Sequence, residues 1–226
     1  MGLPPPPPAA VVFDNDGLLV DTEGLWTKAE EKLFAAHGRR FAPEHKREMV
    51  GVAGPRAEAL LERMLDAPGR GGALLSELNA LVGAEAELGV TPMPGAADLI
   101  DALEAARIPL ALVSNSPLDF VELTLERSGF AGRFAVVLTP DHGHPHKPEP
   151  ALYVEACNAL GGDPRVCVGL EDTATGVAAV RAAGMGAIGI PFPGVELDAA
   201  DLVASSLSDE RVWRALGLEP KGVRPL

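Results

Sequence analysis

An apolar run that ends abruptly in two carboxylates constrains this chain more than any other feature. Ala9-Ala10-Val11-Val12-Phe13 gives way at once to Asp14-Asn15-Asp16-Gly17. A short uncharged run with branched side chains reads as a strand buried on both faces of a parallel sheet. Open α/β sheets bind ligands beyond the carboxyl ends of their strands, so Asp14 and Asp16 stand where chemistry is expected. If the chain stays extended through them, positions i and i+2 face the same way, and two carboxylates converge on one small volume. Like charges that close require a cation or a shared proton. Oxygen ligands favour a hard ion such as Mg²⁺. Gly17 supplies a backbone that can bend and approach a ligand. Alone, D-x-D-G is also a common turn string; the remainder of the chain decides between the two.

Downstream, apolar residues recur at helical spacing over 22–37, 43–50, 55–65 and 73–88, with no convincing strand before Leu110. From 96 onward helix and strand alternate. Strands are expected over 109–113, 134–138, 165–168 and 185–190, with a short one over 202–204. Helices are expected over 96–106, 118–128, 149–160, 173–183 and 208–216. Alternation of this kind predicts an α/β fold, a doubly wound parallel sheet with right-handed crossovers. The helices over 22–88 then form a small all-helical cap domain inserted after the first strand. The division expected is a disordered proline-rich tail over 1–8, a Rossmann-like core over 9–19 and 91–226, and a helical cap over 20–90.

Composition narrows the partners. The net charge of −13 over 226 residues argues against nucleic acid or an anionic membrane surface. No apolar run reaches membrane-spanning length, and the N-terminus lacks the basic and apolar regions of a signal peptide, so a cytoplasmic protein is expected. Cys157 and Cys167 read as buried thiols. With no sustained heptad or unexplained apolar stripe, a monomer is expected.

Each predicted strand end carries polar chemistry. Asp14 and Asp16 follow the first strand. Ser114-Asn115-Ser116 follows the second, ahead of a helix whose N-terminus would favour an anion. Lys147 lies in the loop after the third, and Glu171-Asp172 follows the fourth. Acid, hydroxyl, cation and acid are what is needed to hold a phosphate beside a magnesium ion. His142, His144 and His146 alternate in the loop before Lys147, and are read as a loop feature with stray affinity for transition metals.

These motifs resemble the haloacid-dehalogenase-like superfamily. They are Phe13-Asp14-Asn15-Asp16-Gly17-Leu18-Leu19-Val20-Asp21, Val113-Ser114-Asn115-Ser116, Lys147-Pro148-Glu149-Pro150 and Gly169-Leu170-Glu171-Asp172-Thr173. The resemblance spans residues 10 to about 205, and is nearest the sugar-phosphate phosphatases and mutases grouped around β-phosphoglucomutase. It implies a phosphatase of a small phosphorylated metabolite. Asp14 would be the nucleophile, forming an aspartyl-phosphate, and Asp16 the general acid–base. Mg²⁺ would be held by Asp14, the main-chain carbonyl of Asp16 and Asp172, with Glu171 acting directly or through a water. Ser114, Asn115 and Lys147 would hold the phosphoryl oxygens.

The chain departs from the family at Asn15, where an apolar residue is usual; the amide is expected at the site mouth, among the phosphate-binding groups. Asp16 excludes the dehalogenase reading. The mutase has a cap histidine where this chain has Trp26, and a cap lysine where it has Val50, so water should win over a retained bisphosphate. The alternatives are that mutase, or a phosphate-binding regulatory protein without turnover. Glu23, Trp26, His45, Arg56 and Met93 are candidates for contacting the leaving group by location, Glu23 and Arg56 foremost.

Overall fold

The structure, a computed structural model, describes residues 2–192 and 195–220. In chain order its elements are β1 (Val11–Phe13), β2 (Val20–Asp21), α1 (Glu23–Ala36), α2 (Pro43–Met49), α3 (Gly54–Leu65), α4 (Gly71–Glu87), β3 (Thr91–Pro92), α5 (Ala96–Ala105), β4 (Leu110–Val113), α6 (Leu118–Ser128), β5 (Val136–Leu138), α7 (Ala151–Ala159), β6 (Val168–Glu171), α8 (Ala174–Ala182), β7 (Gly186–Gly189), β8 (Leu202–Val203) and α9 (Glu210–Ala215). Six strands form one sheet in the order β5-β4-β1-β6-β7-β8. Every pairing in it is parallel. The sheet is the doubly wound α/β type expected.

Alternation along β1 builds the two layers. Val11 and Phe13 face a cluster with Leu99, Ile100 and Leu103 of α5 and Val212 and Trp213 of α9. Ala10 and Val12 face the opposite cluster, with Leu152 and Tyr153 of α7 and Val177 and Val180 of α8. Both faces of the central strand are therefore dry, which explains why the run carries no polar residue. The chain leaves β1 toward β4 and β5, then crosses back to place β6 on the other side of β1. That reversal of direction is where open α/β sheets form a ligand crevice, and Asp14 and Glu171 stand beside it.

Helices α1 to α4 pack around a cluster of their own, containing Leu33, Phe34, Leu61, Leu74, Leu78 and Val82. Phe120 of α6 enters this cluster from the sheet side. The helical unit is entered and left through a short antiparallel ribbon, in which Val20 pairs with Pro92 and Asp21 with Thr91. Two-residue strands carry no detectable period, so the ribbon has no sequence signature. Among the described residues no helix is long and apolar enough to cross a membrane.

Two expectations are corrected. The strand expected over 165–168 starts later, at Val168. Pro164 opens a 3₁₀ turn over Pro164–Val166, and the Asp163 side chain caps it by accepting from Arg165 N–H. Gly169, which read as the end of that strand, is its interior. A Cβ there would come within 2.6 Å of Val180, so its bare backbone lets α8 lie close on the sheet. The proline segment is not a free tail among the described residues. Pro4 and Pro8 are buried, Leu3 packs against the core, and Ala9 N–H donates to the Val166 carbonyl. Proline has no N–H needing a partner, so its rings can lie on apolar surface without orphaning donors. Gly186 leaves the room: a Cβ there would stand 2.7 Å from Pro4. Met1 lies outside the described residues. Deleting residues 1–7 is expected to lower the unfolding free energy by about 1–3 kcal/mol, the scale of losing one partly buried aliphatic anchor. Urea denaturation measures it, and an unchanged midpoint would contradict the packing.

Candidate active site

The strand ends converge on Lys147. Its ammonium, almost fully buried, donates to Asp14 Oδ1 at 2.5 Å, to Glu171 Oε1 at 2.6 Å and to the Val113 carbonyl at 2.9 Å. All three N–H bonds of the lysine are thus directed at acceptors from β1, β4 and β6. Burial works against the ammonium, but Asp14 and Glu171 outweigh it and hold its pKa above the usual lysine range. Tyr153 of α7 lies beneath, its hydroxyl donating to Glu171 Oε1 at 2.5 Å, with the lysine nitrogen 5.2 Å from its ring centre. The Lys147 loop is pinned by Asn115. Lys147 N–H donates to Asn115 Oδ1 at 2.8 Å, and Asn115 Nδ2 donates to the Lys147 carbonyl at 3.3 Å.

Asp14, Glu171 and Asp172 each offer an oxygen within 4.8 Å of the others. Three carboxylates face one ammonium, and the imbalance is visible in their acidity. Burial and the charge of Glu171 push Asp14 well above the ordinary carboxylate range, against the pull of Lys147. Burial, Asp14 and Glu171 do the same to Asp172. Among the described residues Asp172 Oδ1 is buried without a hydrogen-bond partner. Unpaired buried acceptors are rare, and an oxygen-rich cluster with one orphaned acceptor suits a hard divalent cation. Gly17 makes the cluster compatible with the chain's turn: its φ is +79°, and a Cβ there would overlap Asp172 Oδ2. The donor set fits a divalent metal ion.

Asp16 faces the same cavity as Asp14 but belongs to a different network. Ser114 Oγ and Ser116 Oγ donate to its Oδ2 at 3.1 and 2.8 Å, and Thr22 Oγ1 and Trp26 Nε1 donate to its Oδ1 at 2.8 and 3.4 Å. Two of these donors come from the sheet and two from the start of the helical unit. The cavity, about 390 Å³, lies between the two units; Asp14, Asp16, Ser114, Asn115, Lys147 and Asp172 line its floor. The helical side contributes Glu23, Trp26, Glu30, Lys46, Met49 and Val50.

The structure therefore gathers Asp14, Asp16, Ser114, Asn115, Lys147, Glu171 and Asp172 at one sheet edge, and Glu23 above it. It does not bring Asn15 there. Asn15 is buried with its amide bonded to Thr124 Oγ1 at 3.2 Å, because in an extended chain i+1 faces away from i and i+2. Arg56, in the first turn of α3, is exposed and outside the cavity lining. His45 is folded back, Nδ1 accepting from Ala42 N–H and its ring lying against Phe34 and Phe41. Met93 is engaged in the hinge, its N–H donating to the Leu19 carbonyl. At the α6 terminus, Leu118 N–H donates to the Asp141 side chain. Of the histidines, His146 lines the cavity. Its imidazole sits against Gly54, where a Cβ would come within 2.6 Å.

Sequence reading missed Lys46, Glu30 and Tyr153, and gave Ser116 no role of its own within the Ser114-Asn115-Ser116 motif. Ser116 could have been found, as the third hydroxyl-or-amide position of a motif already in view. Lys46 and Glu30 carry no sequence signal beyond that of charges on helices with an apolar face.

Similarity to known proteins agrees with this geometry. Residues 8–184 match the haloacid dehalogenase-like hydrolase family, and the chain belongs to it. It is 30% identical over 212 residues to validoxylamine A 7'-phosphate phosphatase of Streptomyces hygroscopicus subsp. limoneus, covering 91% of this chain and 97% of that one. It is 29% identical to hexitol phosphatase B of Escherichia coli, covering 94% and 99%. Among solved structures, CbbY from Rhodobacter sphaeroides in complex with phosphate superposes with a TM-score of 0.82 at 28% identity, over 93% of this chain and 100% of that one. A mutant of that protein, in complex with xylulose-(1,5)bisphosphate, gives 0.79 at 28% identity, over 88% and 95%.

Glu30 provides a test of the electrostatics on the helical side. Burial raises its pKa from 4.5 to about 7, against the opposing pull of Lys46, while Glu23 and Glu31 add to the rise. Between those values the folded chain keeps a proton that the unfolded chain releases. Stability contributed at this site is therefore present at low pH and lost as pH rises through the window. Glu30→Gln removes the effect. Relative to the parent, the variant is expected to gain roughly 3 kcal/mol in unfolding free energy from acid to mildly alkaline pH. Urea denaturation of both proteins across that range measures it; parallel pH profiles would contradict it.

Proposed function

We propose that the chain is a Mg²⁺-dependent phosphatase that hydrolyses a small phosphorylated metabolite, a sugar phosphate, through an aspartyl-phosphate on Asp14. The observation that carries this reading is the unpartnered Asp172 Oδ1 beside Asp14 and Lys147 at the floor of a cavity. It is supported by the phosphatase relatives and by the phosphate carried by CbbY. Mg²⁺, held by Asp14, Asp172 and the main-chain carbonyl of Asp16, with Glu171 steadying Lys147, would neutralise charge on the phosphoryl oxygens.

The remaining chemistry belongs to this chain. Asp14 attacks phosphorus with one carboxylate oxygen, and the bond from phosphorus to the ester oxygen breaks. Asp16 gives a proton to the departing alkoxide, so the alcohol leaves neutral. Asp16, now ionised, takes a proton from a water that attacks the aspartyl-phosphate; the acyl phosphate bond breaks and Asp14 is regenerated. One group thus serves as acid and then as base. Ser114 and Lys147, each giving up one of its present hydrogen bonds, hold the phosphoryl oxygens while charge develops on them, where positioning and electrostatics supply most of the rate. The helical unit above the cavity acts as a cap that excludes bulk water during both steps.

An aryl phosphate with added Mg²⁺ tests the reading. Turnover is expected, falling at least about 10³-fold in Asp14→Asn, since removing a covalent nucleophile forfeits most of the chemistry. EDTA should abolish turnover, and Mg²⁺ should restore it. A parent protein no faster than Asp14→Asn would refute the enzyme reading and leave a phosphate-binding protein.

A further inference from the structure

The helical half of the cavity repeats, in a different form, the charge pattern of its floor. Lys46 of α2 donates to Glu30 Oε2 at 3.0 Å and stands 2.8 Å from Glu23 Oε1, both carboxylates coming from α1. Glu30 is 3% exposed, so this cation is held against an acid that solvent barely reaches. Among the described residues, the lysines and arginines lining the cavity are Lys46 and Lys147, and each lies between two carboxylates. His146 adds no dependable charge, because burial lowers its pKa. The acids are not so balanced: Glu58 and Asp141 also line the cavity.

Building on the phosphatase reading, we propose that Glu23 and Glu30, by clamping Lys46, select an uncharged polyhydroxylated leaving group and turn away substrates bearing a second phosphate or a carboxylate. A second anion would need a cation whose attraction is not already taken up by neighbouring carboxylates. It would meet Lys46 already compensated, in a cavity that Glu58 and Asp141 also line, and juxtaposed like charge is an effective device against a wrong partner. A sugar or sugar-alcohol chain meets the reverse situation. Carboxylate oxygens accept hydroxyl hydrogens, and an ammonium with two of its donors engaged can still offer a third. Asn79 offers both a donor and an acceptor, and Trp26 and Val50 give apolar wall. The contrast is with the CbbY mutant, whose ligand carries phosphates at both ends.

The test is calorimetric binding to the full-length chain carrying Asp14→Asn, with Mg²⁺ present and at about pH 8, above the Glu30 value. The ligands are glucose 6-phosphate, glucose 1,6-bisphosphate and 6-phosphogluconate. The monophosphate is expected to bind at least about 10-fold more tightly than either competitor, each of which bears a second anionic group. Adding Glu30→Gln or, separately, the more exposed Glu23→Gln should free Lys46 and shrink that ratio by at least about 5-fold. Equal or tighter binding of the bisphosphate, a ratio unmoved in both glutamine variants, or no measurable binding of any of the three would overturn the proposal. The readout is independent of turnover. Loss of aryl phosphate hydrolysis would remove the enzyme reading and leave the binding ratio to decide this one.

Discussion

Everything at the sheet edge depends on one buried ammonium. Lys147 bonds acceptors delivered by three neighbouring strands, and without it Asp14, Glu171 and Asp172 would be three like charges in a dry pocket. Removing one member of such a pair leaves a buried charge uncompensated, which is strongly destabilising. Yet one cation does not balance three acids. The upward pull on Asp14 and Asp172 and the orphaned Asp172 oxygen are two views of the same deficit. A divalent ion is the correction that costs the least rearrangement, because the oxygens already converge.

Sheet topology makes that convergence possible. The crossover that places β6 beside β1 brings Glu171 to the level of Asp14, although 157 residues separate Asp14 from Glu171 in the chain. Register does the rest: Phe13 pairs with Leu112 and with Leu170, so the three strands end level and their next residues meet. Asp16 lies just past this junction and answers to both units. Its carboxylate takes donors from Ser114 and Ser116 on the sheet side and from Thr22 and Trp26 at the start of the helical unit. Any relative movement about the β2–β3 ribbon must therefore alter the hydrogen bonds of the group proposed to move the proton.

The floor of the site was legible in the sequence for a physical reason. Strand ends are punctuated by sharp changes from apolar to charged residues, so Asp14 and Asp172 could be placed without knowing any distances, whereas Lys147, in the loop beyond β5, was placed by its motif. The same alternation rule that aimed Asp14 and Asp16 together also aimed Asn15 away, toward Thr124; there the information was present and the motif distracted from it. Arg56 and His45 show the opposite limit. Placing a residue in the helical unit does not say which way its side chain turns, and these two turn to solvent and to Phe34. Tyr153 lies in the helix core, where the sequence carries no sign that its hydroxyl also steadies Glu171. The proline segment misled because its composition is that of exposed linkers, whereas the rings here cover an apolar edge left open by Gly186.

The two ends of the cavity use one device to opposite effect. On the floor, an ammonium between Asp14 and Glu171 leaves carboxylate charge in excess, beside an Asp172 oxygen that has no hydrogen-bond partner among the described residues. Above it, an ammonium between Glu23 and Glu30 leaves Lys46 little attraction for a further anion. A ligand with an anion at one end and hydroxyls at the other satisfies both: its charge goes where a metal can share it, and its hydroxyls go where acceptors outnumber cations. A ligand charged at both ends can satisfy only the floor. On the proposed reading, the asymmetry between two similar lysine clamps sets the orientation of the substrate as well as its class.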